Sequence, residues 1–511
     1  MKRIALAFTL AAATAGCYEN FSKPSAMHSF DSRLDNYIPV ALAANTNGGV
    51  YGLYHVTWDD GAPTVFPTFN VPGQDWEPNP YALTVYADQF HGAAILADSQ
   101  DPSRAYAVTA GTKANGFQTT DMFLTTDRGA SWDWVDHGVK EDVSKKNNFF
   151  HYMAQDPTDP SEVVSLFGNW YTIRIVRSSD QGETWSVPSQ VAESATDYNI
   201  RPQGLQYLDD GTLVVFYGIA GVEGSDDNPD YFVQRSSNNG LTWSAPIRVN
   251  NTVSGRQNLG GDLIHADGTL HAVWASDLNY KHNISNDGGL TWEGNTVLDW
   301  TVAYDPRLAS PPHDPSVVVS FRTGILDGAE RDSRNLLSRT FDGTEWSETR
   351  RINSFIGSCT GQGGLVATSD DVIVATWQDN FDNDWSNKRF AYSAYSDPNR
   401  AEDYGVSFQT STIPQDAVRG EPIEFSYTVG NYTDVPATMD VWIDVYGQQQ
   451  FLFRELKRNV VTLAAGEETT LTYSSLVPPG APRQDYIISA YLDTDGYDLI
   501  DRDGFEVKVV R

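Results

Sequence analysis

Cysteine, methionine and histidine are scarce in this chain of 511 residues, with two, five and nine copies. The cysteines are Cys17 and Cys359. If Cys17 is consumed by N-terminal processing, Cys359 has no partner, so a disulfide and a cysteine-based metal site are excluded. Cys359 then reads as a small buried side chain. Basic residues are also few, 35 Lys and Arg against 67 Asp and Glu, for a formal charge of −32. That charge repels nucleic acid and anionic membrane surfaces, and it means that an acidic ligand must be met by a local basic pocket. Beyond the first residues there is no apolar run of bilayer-spanning length, and no long amphipathic helix pattern stands out.

Turn formers and aromatics are plentiful. The 41 Gly, 25 Pro, 25 Tyr and 14 Trp point to many short strands in an all-β chain long enough for two or three domains. One eight-residue pattern recurs: TTDRGASW (125–132), SSDQGETW (178–185), SSNNGLTW (236–243) and SNDGGLTW (285–292), with a shortened TFDGTEW at 340–346. Taking Asp127, Asp180, Asn238, Asp287 and Asp342 as markers, the steps are 53, 58, 49 and 55 residues. A period of about fifty residues indicates repeated units that bury their faces against one another.

The pattern has the chemistry of a turn. Asp, Asn, Ser and Thr accept hydrogen bonds from nearby backbone N–H groups, Gly supplies positive φ, and Trp can wedge between sheets. Structural hairpins are therefore the reading for these aspartates, rather than catalysis or metal binding. The repeats resemble the Asp-box (BNR repeat) proteins of the sialidase superfamily, over roughly residues 37 to 400. The resemblance implies a β-propeller, and it leaves hydrolase, lyase and binding functions open.

Met1-Lys2-Arg3 and the short apolar run after it have the form of a secretory signal. Thr14-Ala15-Gly16-Cys17 resembles a bacterial lipobox, with Thr14 in place of the usual Leu. The expectation is a bacterial envelope protein, lipid-anchored through Cys17 or secreted. The segments follow as signal 1–17, tether 18–35, propeller 36–402 and a C-terminal region 403–511. Seven apolar openings, at Tyr37, His91, His151, Arg201, Arg256, His313 and Gln362, are spaced 54, 60, 50, 55, 57 and 49 residues apart. Seven four-stranded blades are favoured, and six remain open if the first and last segments share one. After 403 five segments alternate at period two, which suits a β-sandwich resembling immunoglobulin-like accessory domains. The acidic turn Asp493 to Asp503 could hold structural calcium, but it reads better as a hairpin. No other cofactor or metal is expected.

In a propeller the first strands line the axis, so residues opening successive units become neighbours. That places Tyr37, His91, His151, Arg201, Arg256 and His313 in one ring, with Arg201 and Arg256 suited to a carboxylate or sulfate. Trp58, Trp76, Trp170 and Tyr171 are candidates to stack on sugar faces. The expected partner is an acidic glycan or polysaccharide.

Sialidase resemblance implies three carboxylate-holding arginines, an acidic Asp and a Tyr nucleophile. Tyr37-Ile38-Pro39 stands where that family has Arg-Ile-Pro, and Asp59-Asp60 follows at the distance of the acid, making Asp60 its candidate. Arg201 and Arg256 match the other two arginines, and Thr360-Gly361-Gln362 leaves the nucleophile unassigned. A polysaccharide lyase is the alternative, with His91 or His151 as base, Tyr152 or Tyr171 as proton donor and an arginine offsetting the uronate. Such lyases carry a second His near Gly111-Thr112, which is lacking here. Binding without turnover is a third reading.

Overall fold

The computed structural model describes the chain from Ser25 to Val510. Outside the description lie residues 1–24, 27–33, 59–62, 73–75, 80, 87–89, 113–117, 137–149, 169–170, 195–199, 220–229, 251–259, 277–278, 295, 300–302, 324–335, 348–349, 353–358, 380–389, 397–403, 409–411, 413, 415, 432–434, 447–451, 484, 494–498 and 511. Seven antiparallel sheets, blades I to VII, are built on the first strands Leu34–Ala44, Phe90–Ala97, Phe150–Gln155, Ile200–Tyr207, Gly261–Ala266, Ala303–Ala309 and Cys359–Ala367. Each first strand packs beside the next, and the seventh beside the first, so the sheets close into a seven-bladed β-propeller.

The second strands of the blades are apolar almost without break because both of their faces are covered. Val163–Gly168 and Leu213–Ile219 show it best: every residue is buried but the last of the second. Between blades III and IV, Leu166, Ile173, Ile175, Leu205, Leu213, Val215 and Tyr217 form one core. Between IV and V, Phe216, Tyr231, Leu263 and Trp274 form the next. A blade alone would leave these faces in water.

Ring closure is made by the chain's beginning. Ser25 and Ala26 pair with Ser393 and Tyr392 as the outer strand of blade VII. From sequence these two residues fall within the tether at 18–35, because a two-residue strand is too short to show alternation. Trp76 reinforces the seam by donating its indole N–H to Ser393 Oγ at 2.7 Å. It is thus a buried structural residue, not a sugar platform.

The Asp boxes are the hairpins between third and fourth strands. In blade III, Asp180 Oδ1 accepts the Thr184 amide at 2.9 Å and the Ser178 hydroxyl at 2.7 Å, while Oδ2 accepts the Thr184 hydroxyl at 2.5 Å. Ser178 Oγ in turn accepts the Gly182 amide at 2.8 Å. The same set recurs around Asp127 and Asp287, and around Asn238 with one change, its side-chain amide donating to the Thr242 hydroxyl at 2.8 Å. Two successive positive-φ residues make each turn: Arg128 and Gly129, Gln181 and Gly182, Asn239 and Gly240, Gly288 and Gly289. Each box leans on the preceding blade. A Cβ on Gly182 would lie 2.5 Å from the Tyr106 ring of blade II, and the Gln181 side chain accepts from Arg104 of that blade at 2.8 Å.

From Tyr404 on the chain forms a sandwich. One sheet holds Tyr404–Phe408, Pro422–Asn431 and Glu468–Leu476. The other holds Asp416–Val418, Leu499–Val510, Asp485–Asp493, Ala437–Tyr446 and Leu452–Leu463. Its core comes from alternate residues of facing strands, including Phe425, Tyr427, Val429, Met439, Val441, Ile443 and Ile488. Of the acidic turn, Asp501 and Asp503 lie in a strand of the second sheet, and 494–498 are outside the description.

Substituting Gly182→Ala should destabilise the propeller by about 2 kcal/mol or more, because the residue sits at φ 82° and its Cβ meets Tyr106. Urea unfolding of the two proteins checks this, and Gly343→Ala, which has nothing within 4 Å, serves as the comparison for positive φ alone.

Candidate functional site

First strands all begin at one end of the ring, and both the first hairpins and the Asp boxes lie at the other. The two ends therefore divide the work, and box aspartates are remote from the strand heads. Desolvation acts to raise the Asp180 carboxyl, but hydrogen bonds from Thr184, Ser178 and the Glu183 amide outweigh it and hold the group below the usual carboxylate range. Such a group is a poor proton donor at neutral pH, in keeping with a structural turn.

At the strand heads a polar row appears. His91, His151, Arg201 and Asp262 are each the second residue of their first strand, on the four consecutive blades II to V. In register, His151 stands opposite Phe167 and Arg201 opposite Gly218, while a bulge between Phe90 and Gly92 takes His91 out of the ladder. Bulges commonly re-aim a side chain beside a site.

His91 is half-buried, and its Nε2 lies 3.0 Å from Thr112 Oγ1 on the second strand. The position where a lyase would carry its second histidine thus holds a hydroxyl partner for the first. Behind it, Gly111 is required, since a Cβ there would lie 2.3 Å from the Tyr86 ring, itself bonded to Thr109 at 2.7 Å. His55 of blade I, opposite Ile38 in register, packs on Phe90 with ring centroids 4.7 Å apart and the rings tilted by 35°, and burial pushes its pKa down to about 4.

His151 is buried and stacks on Phe167 at 6.5 Å. Its neighbour Tyr152 packs against the core between blades III and IV, which suits a structural role better than that of a proton donor. Tyr171, in the connection between the second and third strands of blade III, is 43% exposed at the strand-head end. Arg201 is half-buried, and desolvation lowers its pKa against the opposing influence of the buried Tyr231.

His313 is a correction. It lies in the hairpin between Ala303–Ala309 and Val317–Thr323, at the end opposite the strand heads, exposed and 3.3 Å from Asp371. The first strand of blade VI begins ten residues earlier than His313, and its register jumps between Tyr304 and Arg307, around Asp305-Pro306. A proline inside a strand hides the alternation. Tyr37 lies on the first strand of blade I, opposite Val56. Arg256, Asp60, Trp170 and Cys17 are outside the described residues, as is the side chain of Trp58.

Sequence reasoning missed Asp262, Arg307 and Arg322. Asp262 Oδ1 accepts the Leu263 amide at 2.9 Å, and Oδ2 accepts the Leu308 amide of blade VI at 2.8 Å, so one carboxylate ties two first strands together. Desolvation pushes its pKa up to about 6, opposed by the Arg307 guanidinium and the two amides. The one available signal was Gly260-Gly261-Asp262, a glycine pair before an acid, where a Cβ on Gly261 would lie 2.8 Å from the Val273 carbonyl. Arg322 is near the end of the second strand of blade VI, on the strand-head side. Among the described residues no His, Cys, Asp and Glu cluster suits a metal.

Residues 173–355 match the BNR repeat-like domain family. A sialidase of Paraclostridium sordellii is 26% identical over 199 residues, which cover 33% of this chain and 48% of that protein. The chain thus spans about half the length of this curated relative. Among solved structures, the Hadza microbial sialidase Hz136 aligns with a TM-score of 0.40 at 16% identity, over 72% of this chain and 67% of that one. An α-L-arabinanase of Penicillium chrysogenum aligns with a TM-score of 0.44 at 12% identity, over 63% and 98%. The repeats over residues 173–355 are thus similar to BNR repeats, and the sheets form a β-propeller.

Because the folded pKa of Asp262 exceeds its unfolded value, its contribution favours folding below about pH 4 and is lost as pH rises through about 6. Asp262→Asn should flatten this dependence, changing the stability difference between pH 5 and pH 8 by on the order of 2 kcal/mol. Urea unfolding at both pH values measures it.

Proposed function

We propose that the protein is a carbohydrate-active enzyme of the bacterial cell envelope, a sialidase-like glycosidase acting on acidic glycans. The observation that carries this reading is that His91, His151 and Arg201 all lie near the heads of three consecutive first strands, on the end opposite the Asp boxes. Arg201 on blade IV and Arg307 and Arg322 on blade VI are cationic side chains in a protein of net charge −32. Their forked N–H groups match a sugar carboxylate. Tyr171 supplies an exposed ring for a sugar face. The match to the BNR repeat-like family and the similarity to a sialidase support a glycan as the ligand.

Elimination draws less support. Of its two candidate proton donors, Tyr152 is packed against the core between blades and Tyr171 is exposed at the strand-head end, and Thr112 occupies the position of a second histidine. For the address, the proposal is anchorage through Cys17 or secretion. Among the described residues no helix is long and apolar enough to cross a membrane.

Full-length protein should release sugar from a fluorogenic sialoside or from another acidic glycoside of a test panel. His91→Ala and Arg201→Ala should each lower kcat/KM by roughly a hundredfold, as expected for a removed acid–base group or a removed charge partner. Unsaturated uronate absorbance without hydrolysis would show elimination instead. Retention on a glycan array with neither signal would show binding alone.

A further inference from the structure

The chain holds three Asn-Gly pairs, at 47–48, 115–116 and 239–240, of which the second lies outside the described residues. Asparagine before glycine can rearrange without an enzyme, because glycine has no Cβ to keep its amide nitrogen away from the preceding side-chain carbonyl carbon. The rate depends on whether those two groups are held elsewhere. The two described pairs differ on both counts.

Asn239 sits in the Asp box of blade IV at φ 54°. Its side-chain oxygen accepts the Tyr207 hydroxyl, and its side-chain amide donates to the Glu162 carboxylate of blade III. The Gly240 amide donates to Ser236 Oγ at 2.8 Å. Both reacting groups are therefore tied down.

Asn47 lies in the hairpin between Leu34–Ala44 and Val50–Trp58 of blade I. Asn45 organises that turn: its Oδ1 accepts the Asn47 amide at 3.0 Å and the Gly49 amide at 2.9 Å, and its own amide donates to the Gly49 carbonyl at 2.8 Å. The Gly48 amide between them is passed over. Asn47 is exposed, and among the described residues neither its side chain nor the Gly48 amide has a hydrogen-bond partner. The turn thus fixes the two groups in sequence without occupying either.

We propose that Asn47 is a site of spontaneous modification in the folded protein, converting to aspartate and isoaspartate, while Asn239 is kept as the amide by its box. In the first step the Gly48 nitrogen gives up its proton to solvent and bonds to Asn47 Cγ, and the Cγ–Nδ2 bond breaks to release ammonia. Water then opens the cyclic imide. Cleavage at Cγ leaves aspartate, and cleavage at the backbone carbonyl carbon of residue 47 leaves isoaspartate, with the main chain running through Cγ. Either product adds a carboxylate to the turn that meets blade VII, where a Cβ on Gly48 would lie 2.6 Å from Asp370 Oδ2. The seam between blades VII and I thereby gains a negative charge beside one already present. None of this depends on what the strand heads bind.

The test follows full-length protein incubated at pH 8 and 37 °C, with the peptides containing Asn47, Asn115 and Asn239 read separately by mass spectrometry and isoaspartate counted by enzymatic methyl labelling. In folded protein Asn47 should convert at least about tenfold faster than Asn239, the protected pair having both reacting groups held out of position. In protein unfolded by guanidinium chloride the two should convert at rates within about twofold, because each is then an Asn-Gly pair in a free chain. Separate reading of the Asn115 peptide keeps its conversion out of the comparison. Asn47 that stays an amide in folded protein while converting in guanidinium chloride would overturn the inference. So would Asn239 converting as fast as Asn47 in folded protein, or a difference between them that persists after unfolding.

Discussion

A blade of this propeller has no dry side of its own. Its second and third strands carry apolar residues on both faces, so Tyr106, Ile175, Val233 and Phe321 are shielded only when a neighbouring sheet is in place. Burial of this kind is worth roughly 25 cal/mol per Å² of apolar surface, and in a ring it is collected only when every sheet has both of its neighbours. The Asp box is the device that sets the spacing between sheets: a tight turn with two positive-φ residues puts a backbone with no side chain against the preceding blade.

That dependence explains what could be read from the chain and what could not. The boxes are local, with acceptor, glycine and tryptophan inside eight residues, so the period was visible as strings, while the seven openings favoured seven blades and left six open. First strands were visible even where a bulge interrupts the ladder, as at His91 and Arg201. Blade VI was misplaced because Asp305-Pro306 breaks the ladder, which put His313 at the wrong end and concealed Arg307. Asp262 could not be found by pattern at all. Its character comes from the Leu308 amide of another blade and from burial, neither of which is encoded within a few residues of it.

Electrostatically, the strand-head end is ruled by loss of water rather than by pairing. His55, Arg201 and Lys281 are each pushed toward their neutral form by burial, and Asp262 likewise. Charges that are not cancelled by solvent act at longer range and more strongly on one another and on a ligand. In a protein whose formal charge is −32, the other end keeps ionised carboxylates as hydrogen-bond acceptors in its turns.

Blade VII is assembled from the two extremes of the propeller chain: Ser25 and Ala26 complete a sheet whose other three strands span Cys359 to Tyr395. A ribosome delivers the latch first and its keeper more than three hundred residues later. Until then Ser25 and Ala26 have no strand to pair with, and unpaired strand edges invite pairing with other chains. Maturation of this protein is therefore a problem of timing, and shortening the amino terminus past Ala26 would leave a circle that can be drawn but never fastened.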